Sequence, residues 1–88
     1  MTSNKIMSFY VYIIKSEKDG KFYTGYTSNL ESRIKAHNIG LVRSTKHRRP
    51  FHLVKFETFE TRREAMWREW QLKSKDVGSK EKAKLKNL

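Results

Sequence analysis

The sequence predicts a small α+β fold, in which a three-stranded, mostly antiparallel sheet is flanked by three helices. Two short apolar runs near the start are separated by an Asp-Gly turn signal, which is typical of a β-hairpin. Two capping-box patterns then predict helix starts on either side of a third strand. The order strand, strand, helix, strand, helix, helix favours helices packed on one small sheet. The 88 residues suit one domain over residues 9–88, after a flexible lead-in of residues 1–8.

The predicted hairpin occupies residues 9–26. Residues 9–14 are β-branched and aromatic, which predicts a buried first strand, and a period of two places Tyr10 and Tyr12 on one face. After the turn at Asp19-Gly20, residues 21–26 return as the second strand, with Tyr23 and Gly25 on one face. A glycine inside a strand indicates a close backbone approach or a bulge at Gly25.

The first helix is predicted from about Asn29 to Asn38. Ser28 and Glu31 form the capping-box pattern at its start, and Gly40 ends it. Residues 41–50 are predicted as a basic loop. A third strand follows over residues 51–59, with Val54 and Phe56 expected on one face.

The second half of the chain predicts two more helices. Thr61 and Glu64 form another capping box, which opens a helix that ends near Ser74. Gly78 is expected to break the chain, and the lysine-rich residues 79–88 predict a short, marginal helix. The aromatic side chains of Trp67 and Trp70 are expected to be core or partly exposed packing residues.

The charge of the chain indicates a polyanionic partner. Twenty Lys and Arg residues against nine Asp and Glu give a net charge of +11. Such a field concentrates nucleic acid near the protein, so DNA is the expected partner, with RNA also compatible and an anionic membrane surface second. The absence of cysteine excludes disulfides and thiol nucleophiles and fits a reducing cytoplasm. No apolar run is long enough to span a bilayer, and the first residues do not match a signal peptide.

A carboxylate interrupts the apolar side of the second predicted helix. Helical geometry places Glu69 between Ala65 and Met66, where burying its charge is costly unless a cation or strong donors meet it. Either a buried salt bridge to an arginine or a metal-ligand role accounts for this position. The chain lacks a carboxylate cluster for a two-metal site and a glycine-rich phosphate loop.

The order of several motifs resembles the GIY-YIG nucleases. Tyr10-Val11-Tyr12 and Tyr23-Thr24-Gly25 correspond to the two signature triplets, with a tyrosine in place of the first glycine. Arg33, the segment from His37 to Gly40, and the run from Glu64 through Glu69 to Lys73 follow in the order of the family. The resemblance covers residues 9–73 and is nearest to small stand-alone bacterial proteins akin to the nuclease domain of the excinuclease C subunit. The Pro-x-Tyr-Asn tail of longer relatives is absent.

The resemblance implies a metal-dependent endonuclease that hydrolyses phosphodiester bonds of DNA, with a structure-specific role in repair or recombination. It implies a single Mg²⁺ or Mn²⁺ ion on Glu69. Arg33 is expected to grip the phosphate, Tyr12 to orient or deprotonate the attacking water, and Tyr23 to contact either group. His37 is expected to accept a proton from a tyrosine or to anchor its ring. The expected contacts to the DNA backbone come from Arg43, Lys46, Arg48, Arg49 and Lys73.

Taken singly, these side chains are more typical of structural roles, so two alternatives remain open. In the first, the same fold is a non-catalytic module that binds nucleic acid through its aromatic strands and positive charge. In the second, the chain is a basic interaction module for an acidic protein or a ribosomal partner.

Overall fold

The fold is a three-stranded antiparallel sheet with helices on both faces, which confirms the predicted α+β class. The computed structural model describes residues 7–74 and 77–85, so most of the predicted lead-in lies outside the described residues. The sheet order is β2-β1-β3, and both pairings are antiparallel. The elements are β1 (Phe9–Ser16), β2 (Phe22–Thr27), α1 (Leu30–Asn38), β3 (Phe51–Phe59), α2 (Arg62–Lys73) and α3 (Val77–Lys84), with a 3-10 turn at Lys46–Arg48.

The central strand β1 divides the interior into two apolar clusters. Val11 and Ile13 point to one face, where they pack with Ala65 and Leu72 of α2 and with Leu85. Because side chains alternate along a strand, Tyr12 and Ile14 point to the other face, with Phe51, Leu30 and Ile34. The second cluster therefore lies under α1, and it holds the first signature tyrosine.

The turn between β1 and β2 is fixed by Ser16. The Ser16 hydroxyl accepts hydrogen bonds from the backbone N–H groups of Lys18 and Asp19 at 3.0 and 3.1 Å. It donates to the carbonyl of Arg48 at 2.6 Å, which ties the hairpin to the loop before β3. Gly20 has a φ of 72°, a left-handed conformation that favours glycine.

The two helix caps differ in how well the sequence predicts them. The prediction that Ser28 caps α1 is wrong, because the side chain of Asn29 accepts the Ser32 N–H at 3.1 Å. An asparagine carbonyl at the extended residue just before the helix satisfies the same free N–H groups as a serine hydroxyl. The capping box of α2 is confirmed, since Thr61 and Glu64 each accept the backbone N–H of the other at 3.2 Å.

A β-bulge in β3 changes the direction of the side chains predicted to share a face. Ile13 pairs with Lys55, whereas Ile14 pairs with Leu53, so one residue of β3 is unpaired. Val54 consequently packs against the cluster under α2. Phe56 lies on the opposite face, where its ring contacts Tyr10 edge-on at 6.2 Å. The prediction of one common face is wrong because a period of two does not continue through a bulge.

The last helix begins earlier than predicted. Gly78 was expected to break the chain, but it lies inside α3, which starts at Val77. A side chain at Gly78 would collide with the carbonyl oxygen of Leu72, so glycine permits close contact between α3 and the end of α2.

An ion-pair network also connects α2, β3 and α3. Arg68 of α2 donates two hydrogen bonds to Glu57 of β3 at 2.7 and 3.0 Å and reaches Glu81 of α3 at 3.4 Å. Lys55 joins this network at 2.9 Å from Glu81.

No helix within residues 7–74 and 77–85 is long and apolar enough to cross a membrane.

Candidate active site

Three aromatic side chains from three different elements meet on the α1 face of the sheet. Tyr12 of β1 and Tyr23 of β2 lie 6.4 Å apart between ring centroids. The imidazole of His37, from α1, lies 5.7 Å from the ring of Tyr12 and 5.0 Å from the ring of Tyr23. His37 has no exposed surface and Tyr12 is 1% exposed. The antiparallel pairing of β1 with β2 and the packing of α1 across them thus gather two phenols and an imidazole.

A chain of hydrogen bonds runs from Tyr12 through His37 into the basic loop. The Tyr12 hydroxyl lies 2.8 Å from His37 Nε2, and His37 Nδ1 lies 2.8 Å from the hydroxyl of Thr45. The Thr45 hydroxyl donates to the carbonyl of Val42 at 3.3 Å. Since that proton is used, Thr45 accepts from Nδ1–H, and Nε2 is left to accept the proton of Tyr12. The chain of bonds therefore selects one tautomer of His37 and one orientation of the phenol.

Burial keeps both partners of this bond uncharged near neutral pH. Desolvation, with a smaller effect from the Arg33 charge, lowers the pKa of His37 to about 4. Burial also raises the pKa of Tyr12, although a hydrogen bond from Arg33 opposes that rise. Proton transfer from Tyr12 to His37 is strongly unfavourable in the free chain, because the acceptor is much the weaker base. In this state His37 anchors the phenol.

Gly25 leaves the space that the Tyr12 hydroxyl occupies. A Cβ atom at position 25 would lie 2.5 Å from the Tyr12 oxygen and 2.7 Å from Cζ, well inside van der Waals contact. Tyr12 and Gly25 are also direct partners in the β1–β2 ladder. The close approach that a strand glycine predicts is therefore the passage of this phenol across the backbone of β2.

Arg33 brings a positive charge to the same phenol. It lies one helical turn before His37 on α1, so both side chains project from one side of the helix. Its interaction with Tyr12 opposes the rise in the pKa of that phenol caused by burial, and its charge adds to the lowering of the His37 pKa by burial. Arg33 is partly exposed to solvent.

Glu69 lies on α2, which packs against the sheet face opposite the one that bears Tyr12, and its ion-pair partner is a neighbouring lysine. Its carboxylate is 21% exposed and lies 3.1 Å from the Lys73 ammonium, which is 53% exposed. The negative charge of Glu69 acts on Tyr12, whose pKa it helps to raise. The pair thus lies at the surface, unlike the buried arginine bridge that the helical pattern allowed. Within the described part of the chain, no group of three His, Asp or Glu side chains is arranged to hold a metal ion.

Some cationic side chains of the basic loop contact other groups of the protein, and others extend into solvent. Arg48 pairs with Asp19 at 2.8 Å and lies over the ring of Phe51 at 5.5 Å. This guanidinium holds the pKa of Asp19 well below its usual range. Arg49 donates to the carbonyl of Lys46 at 2.7 Å. The side chains of Arg43 and Lys46 are exposed, and no ion pair to either is found in the described residues.

Sequence reasoning missed Thr45 and underrated Asn38. Thr45 is fully buried although it lies in a polar, basic loop, and nothing local marks it as the partner of His37. Asn38 donates to the carbonyl of Phe51 at 3.0 Å and accepts the N–H of Phe51 at 2.7 Å, which fixes the end of α1 against β3. Neither role has a local signal, because Asn38 ends α1 and Thr45 lies in the middle of the loop between α1 and β3.

Comparison with known proteins places this arrangement in a family of nucleases. Residues 8–82 match the family described as the GIY-YIG catalytic domain. The chain therefore belongs to the GIY-YIG family, as its motifs predict, and the membership indicates a nucleic-acid substrate.

Bacterial relatives and one solved structure share most of the chain. It is 55% identical over 65 residues to a UPF0213 protein of Clostridium perfringens, covering 73% of this chain and 69% of that protein. A UPF0213 protein of Staphylococcus haemolyticus is 52% identical over 66 residues, with 74% and 79% covered. The solution NMR structure of a UPF0213 protein from Bacillus halodurans matches with a TM-score of 0.54 and 40% identity, over 88% of this chain and 82% of that one.

Proposed function

We propose that the protein is an endonuclease that hydrolyses phosphodiester bonds of DNA with the help of one divalent cation. The observation that supports the proposal most strongly is the hydrogen-bonded chain from Tyr12 through His37 to Thr45, with Arg33 beside the phenol. A buried chain of this kind has little use as a surface contact, but it orients a hydroxyl. Branched or otherwise non-duplex DNA, as in repair or recombination, is the substrate class that we propose first.

Arg33 is the residue best placed to bind the scissile phosphate. Its planar guanidinium offers several N–H donors, which suits two oxygens of one phosphate. Phosphate binding would neutralise the positive charge that now depresses the pKa of His37 and helps to lower that of Tyr12. Both pKa values would rise, so the acceptor would improve while the donor weakens, and a proton relay would depend on concerted transfer rather than on a free phenolate.

Tyr12 is the residue best placed to orient the attacking water. Because its own proton is donated to His37 Nε2, its oxygen keeps lone pairs that can accept a hydrogen bond, although Tyr12 is 1% exposed and a water would reach it only if its neighbours move. A water held by Tyr12 would pass a proton to the phenol as the phenol proton moves to His37. Tyr23, whose ring packs 5.0 Å from His37, would contact the phosphate or this water.

The donor set around Glu69 fits Mg²⁺ or Mn²⁺. A single carboxylate, partly open to solvent, suits an ion that keeps most of its waters and completes its coordination with substrate oxygens. Lys73 would have to leave Glu69, and its exposed side chain is free to turn toward a phosphate. A bound cation would supply charge stabilisation for the leaving oxygen.

The non-catalytic alternative rests on the same carboxylate. Glu69 is already paired with Lys73, and the absence of a ligand cluster in the described residues leaves the cation to one protein group. On this alternative the chain binds nucleic acid through its surface charge, and the aromatic cluster is scaffold.

The test compares binding and cleavage of branched and plain DNA with Mg²⁺ for Glu69→Gln and Tyr12→Phe. We expect the wild type to cut, and both variants to lose at least about 100-fold in rate while retaining affinity. Glu60→Gln is the matched control, because Glu60 is an exposed carboxylate with no proposed part in the site. The cleavage rate of this variant should equal that of the wild type. Binding without cleavage by the wild type would establish the non-catalytic alternative, and loss of both in Glu69→Gln would indicate misfolding.

A further inference from the structure

The solvent-facing side of α2 carries an unusual group of large apolar side chains. Met66 is 48% exposed, Trp67 59% and Trp70 63%, so the helix turns its bulkiest residues outward. The two indole rings stack on each other with centroids 5.1 Å apart and planes 19° apart. We refer to Met66, Trp67 and Trp70 as the tryptophan platform. In the described part of the chain no other element covers it.

Cationic side chains surround the tryptophan platform. Arg62, Arg63 and Lys73 line the same surface depression as the three apolar residues. Arg62 lies over the ring of Phe9 at 5.4 Å, and Arg63 is exposed. Flat aromatic faces next to guanidinium and ammonium groups match the alternation of base and phosphate along a nucleic-acid strand.

The platform borders the proposed catalytic carboxylate. Glu69 lines the same depression, one residue before Trp70 and three after Met66. On a helix at 100° per residue, Glu69 separates the buried stripe of Ala65 and Leu72 from the exposed stripe of Met66 and Trp70. A nucleotide on the platform is therefore adjacent to a phosphate held beside Glu69.

We propose that the tryptophan platform binds unpaired nucleobases next to the bond that is cut. The proposal rests on the proposed nuclease function and specifies its substrate class: nucleic acid with single-stranded nucleotides at the cleavage site. In a duplex the faces of the bases are covered by their neighbours, and only their edges are open in the grooves. Aromatic rings exposed on a helix reach a base face only where the base is unstacked and unpaired.

Charge argues against the other partners for this surface. A second copy of the chain would bring the same arginines and lysine face to face, and each chain has a net charge of +11. An anionic vesicle or an acidic protein satisfies the cations but gives no reason for two parallel indole rings beside the Glu69 carboxylate. Nucleic acid satisfies both features.

The chain provides its own reporter, because its two tryptophans are those of the platform. The experiment titrates the wild type, in EDTA to prevent cleavage, with an oligothymidylate of about 12 nucleotides, a length within the usual single-strand site sizes. A blunt hairpin duplex with the same number of phosphates is titrated in parallel. We expect the fluorescence to be quenched by the single strand and by a duplex with a single-stranded overhang, and to change little with the blunt duplex.

Variants separate stacking from charge. Trp67→Ala/Trp70→Ala should bind labelled oligothymidylate about 10-fold or more weakly, whereas Trp67→Phe/Trp70→Phe should retain most of the affinity. Phe56→Ala, which removes a half-exposed ring from the opposite face, is the matched control and should bind like the wild type. Circular dichroism verifies that each variant is folded.

Three results would overturn the proposal: equal quenching by the blunt duplex, unchanged single-strand affinity in the double alanine variant, or quenching by phosphatidylglycerol vesicles with none by oligothymidylate. A change in oligomeric state of the double alanine variant, with unchanged single-strand affinity, would assign the platform to self-association instead. The nuclease proposal fails separately. Selective quenching without any cleavage in Mg²⁺ would support the platform and contradict the nuclease proposal. Cleavage of DNA without selective quenching would support the nuclease proposal and contradict the platform.

Discussion

Thr45 shows how one hydroxyl in a loop controls the chemistry of a neighbouring ring. It accepts the Nδ1 proton of His37 and so leaves Nε2 free to receive the proton of Tyr12. Without that acceptor, nothing in the hydrogen-bonded chain would distinguish the two tautomers of the imidazole. Thr45 acts through His37, so it is a positioning residue.

Replacing Thr45 with valine tests this role. The buried Nδ1–H would lose its partner, and we expect the free energy of unfolding to fall by about 1–3 kcal/mol. Cleavage should fall as well, because the tautomer with the proton on Nε2 no longer accepts from Tyr12. Denaturant titration measures the first effect and the ¹⁵N shifts of His37 measure the tautomer. Thr45→Ser retains the hydroxyl and should restore both, and a valine variant with the wild-type tautomer would contradict the assignment.

The buried imidazole also predicts how stability depends on pH. His37 has a pKa of about 4 in the folded chain and an ordinary value near 6.5 when unfolded, so between these values the unfolded state binds more protons. Stability should therefore fall as pH decreases from about 6.5 toward 4, by up to about 3 kcal/mol. Denaturant midpoints at a series of pH values measure this. His37→Gln removes the titrating group and should flatten the curve above pH about 4.5, where ordinary carboxylates are still ionised. An equal slope in this variant would assign the effect elsewhere.

At the scale of elements, α3 is attached to α2 by an approach that only glycine permits. Gly78 lies against the carbonyl of Leu72, and Glu81 joins Arg68 and Lys55 in the ion-pair network above β3. Helix propensity favours alanine over glycine by about 1 kcal/mol, whereas a forced contact with backbone costs about 1–3 kcal/mol. The contact is with a backbone atom that cannot turn aside, so the second effect should dominate.

Gly78→Ala should consequently destabilise the chain and loosen α3 first. Hydrogen exchange measured by mass spectrometry should show faster exchange in residues 79–84 than in β1. Ser79→Ala is the control in the same helix, because Ser79 is exposed and its replacement should change stability by less than about 0.5 kcal/mol. Stabilisation by Gly78→Ala would contradict this prediction, because it would mean that α3 can move away from Leu72 without lowering the free energy of unfolding.

The elements that local chemistry determines were predictable from sequence, and the features that depend on packing were not. The Asp19-Gly20 turn and the Thr61 box are set by residues a few positions apart, so their patterns identified them. The bulge in β3 depends on the register against β1, which a single strand does not encode. The motifs grouped Tyr12 with Tyr23 and His37, whose rings lie together in the structure, whereas the burial of Thr45 depends on how the loop closes over His37.

For the whole molecule, the net charge of +11 does not show which cations are available to bind DNA. Arg48 is occupied by Asp19 and Phe51, whereas Arg43 and Lys46 project into solvent. The electrostatic path of a DNA strand should therefore depend on the second pair more than on Arg48.

Salt dependence of DNA binding distinguishes these cations. Removing two phosphate contacts with Arg43→Ala/Lys46→Ala should reduce the slope of log affinity against log salt by about two. Arg48→Ala should leave that slope nearly unchanged and should lower stability instead, since it removes the ion pair that fastens the hairpin to the loop. Fluorescence anisotropy across a salt series provides the measurement. A larger slope change for Arg48→Ala would show that DNA displaces Asp19.

The position of β1 between its two neighbours has a consequence for how the protein fails on heating. The strand sends alternate side chains into both apolar clusters, and Tyr12 is one of them. Tyr12 therefore packs in one of the two apolar clusters and also carries the hydroxyl on which the proposed reaction depends. Fraying of α3 should leave the cluster around Tyr12 intact. Melting of β1 should disrupt both the sheet and this cluster. Thermal inactivation should therefore follow the loss of β1, and a form in which only α3 has frayed should remain active.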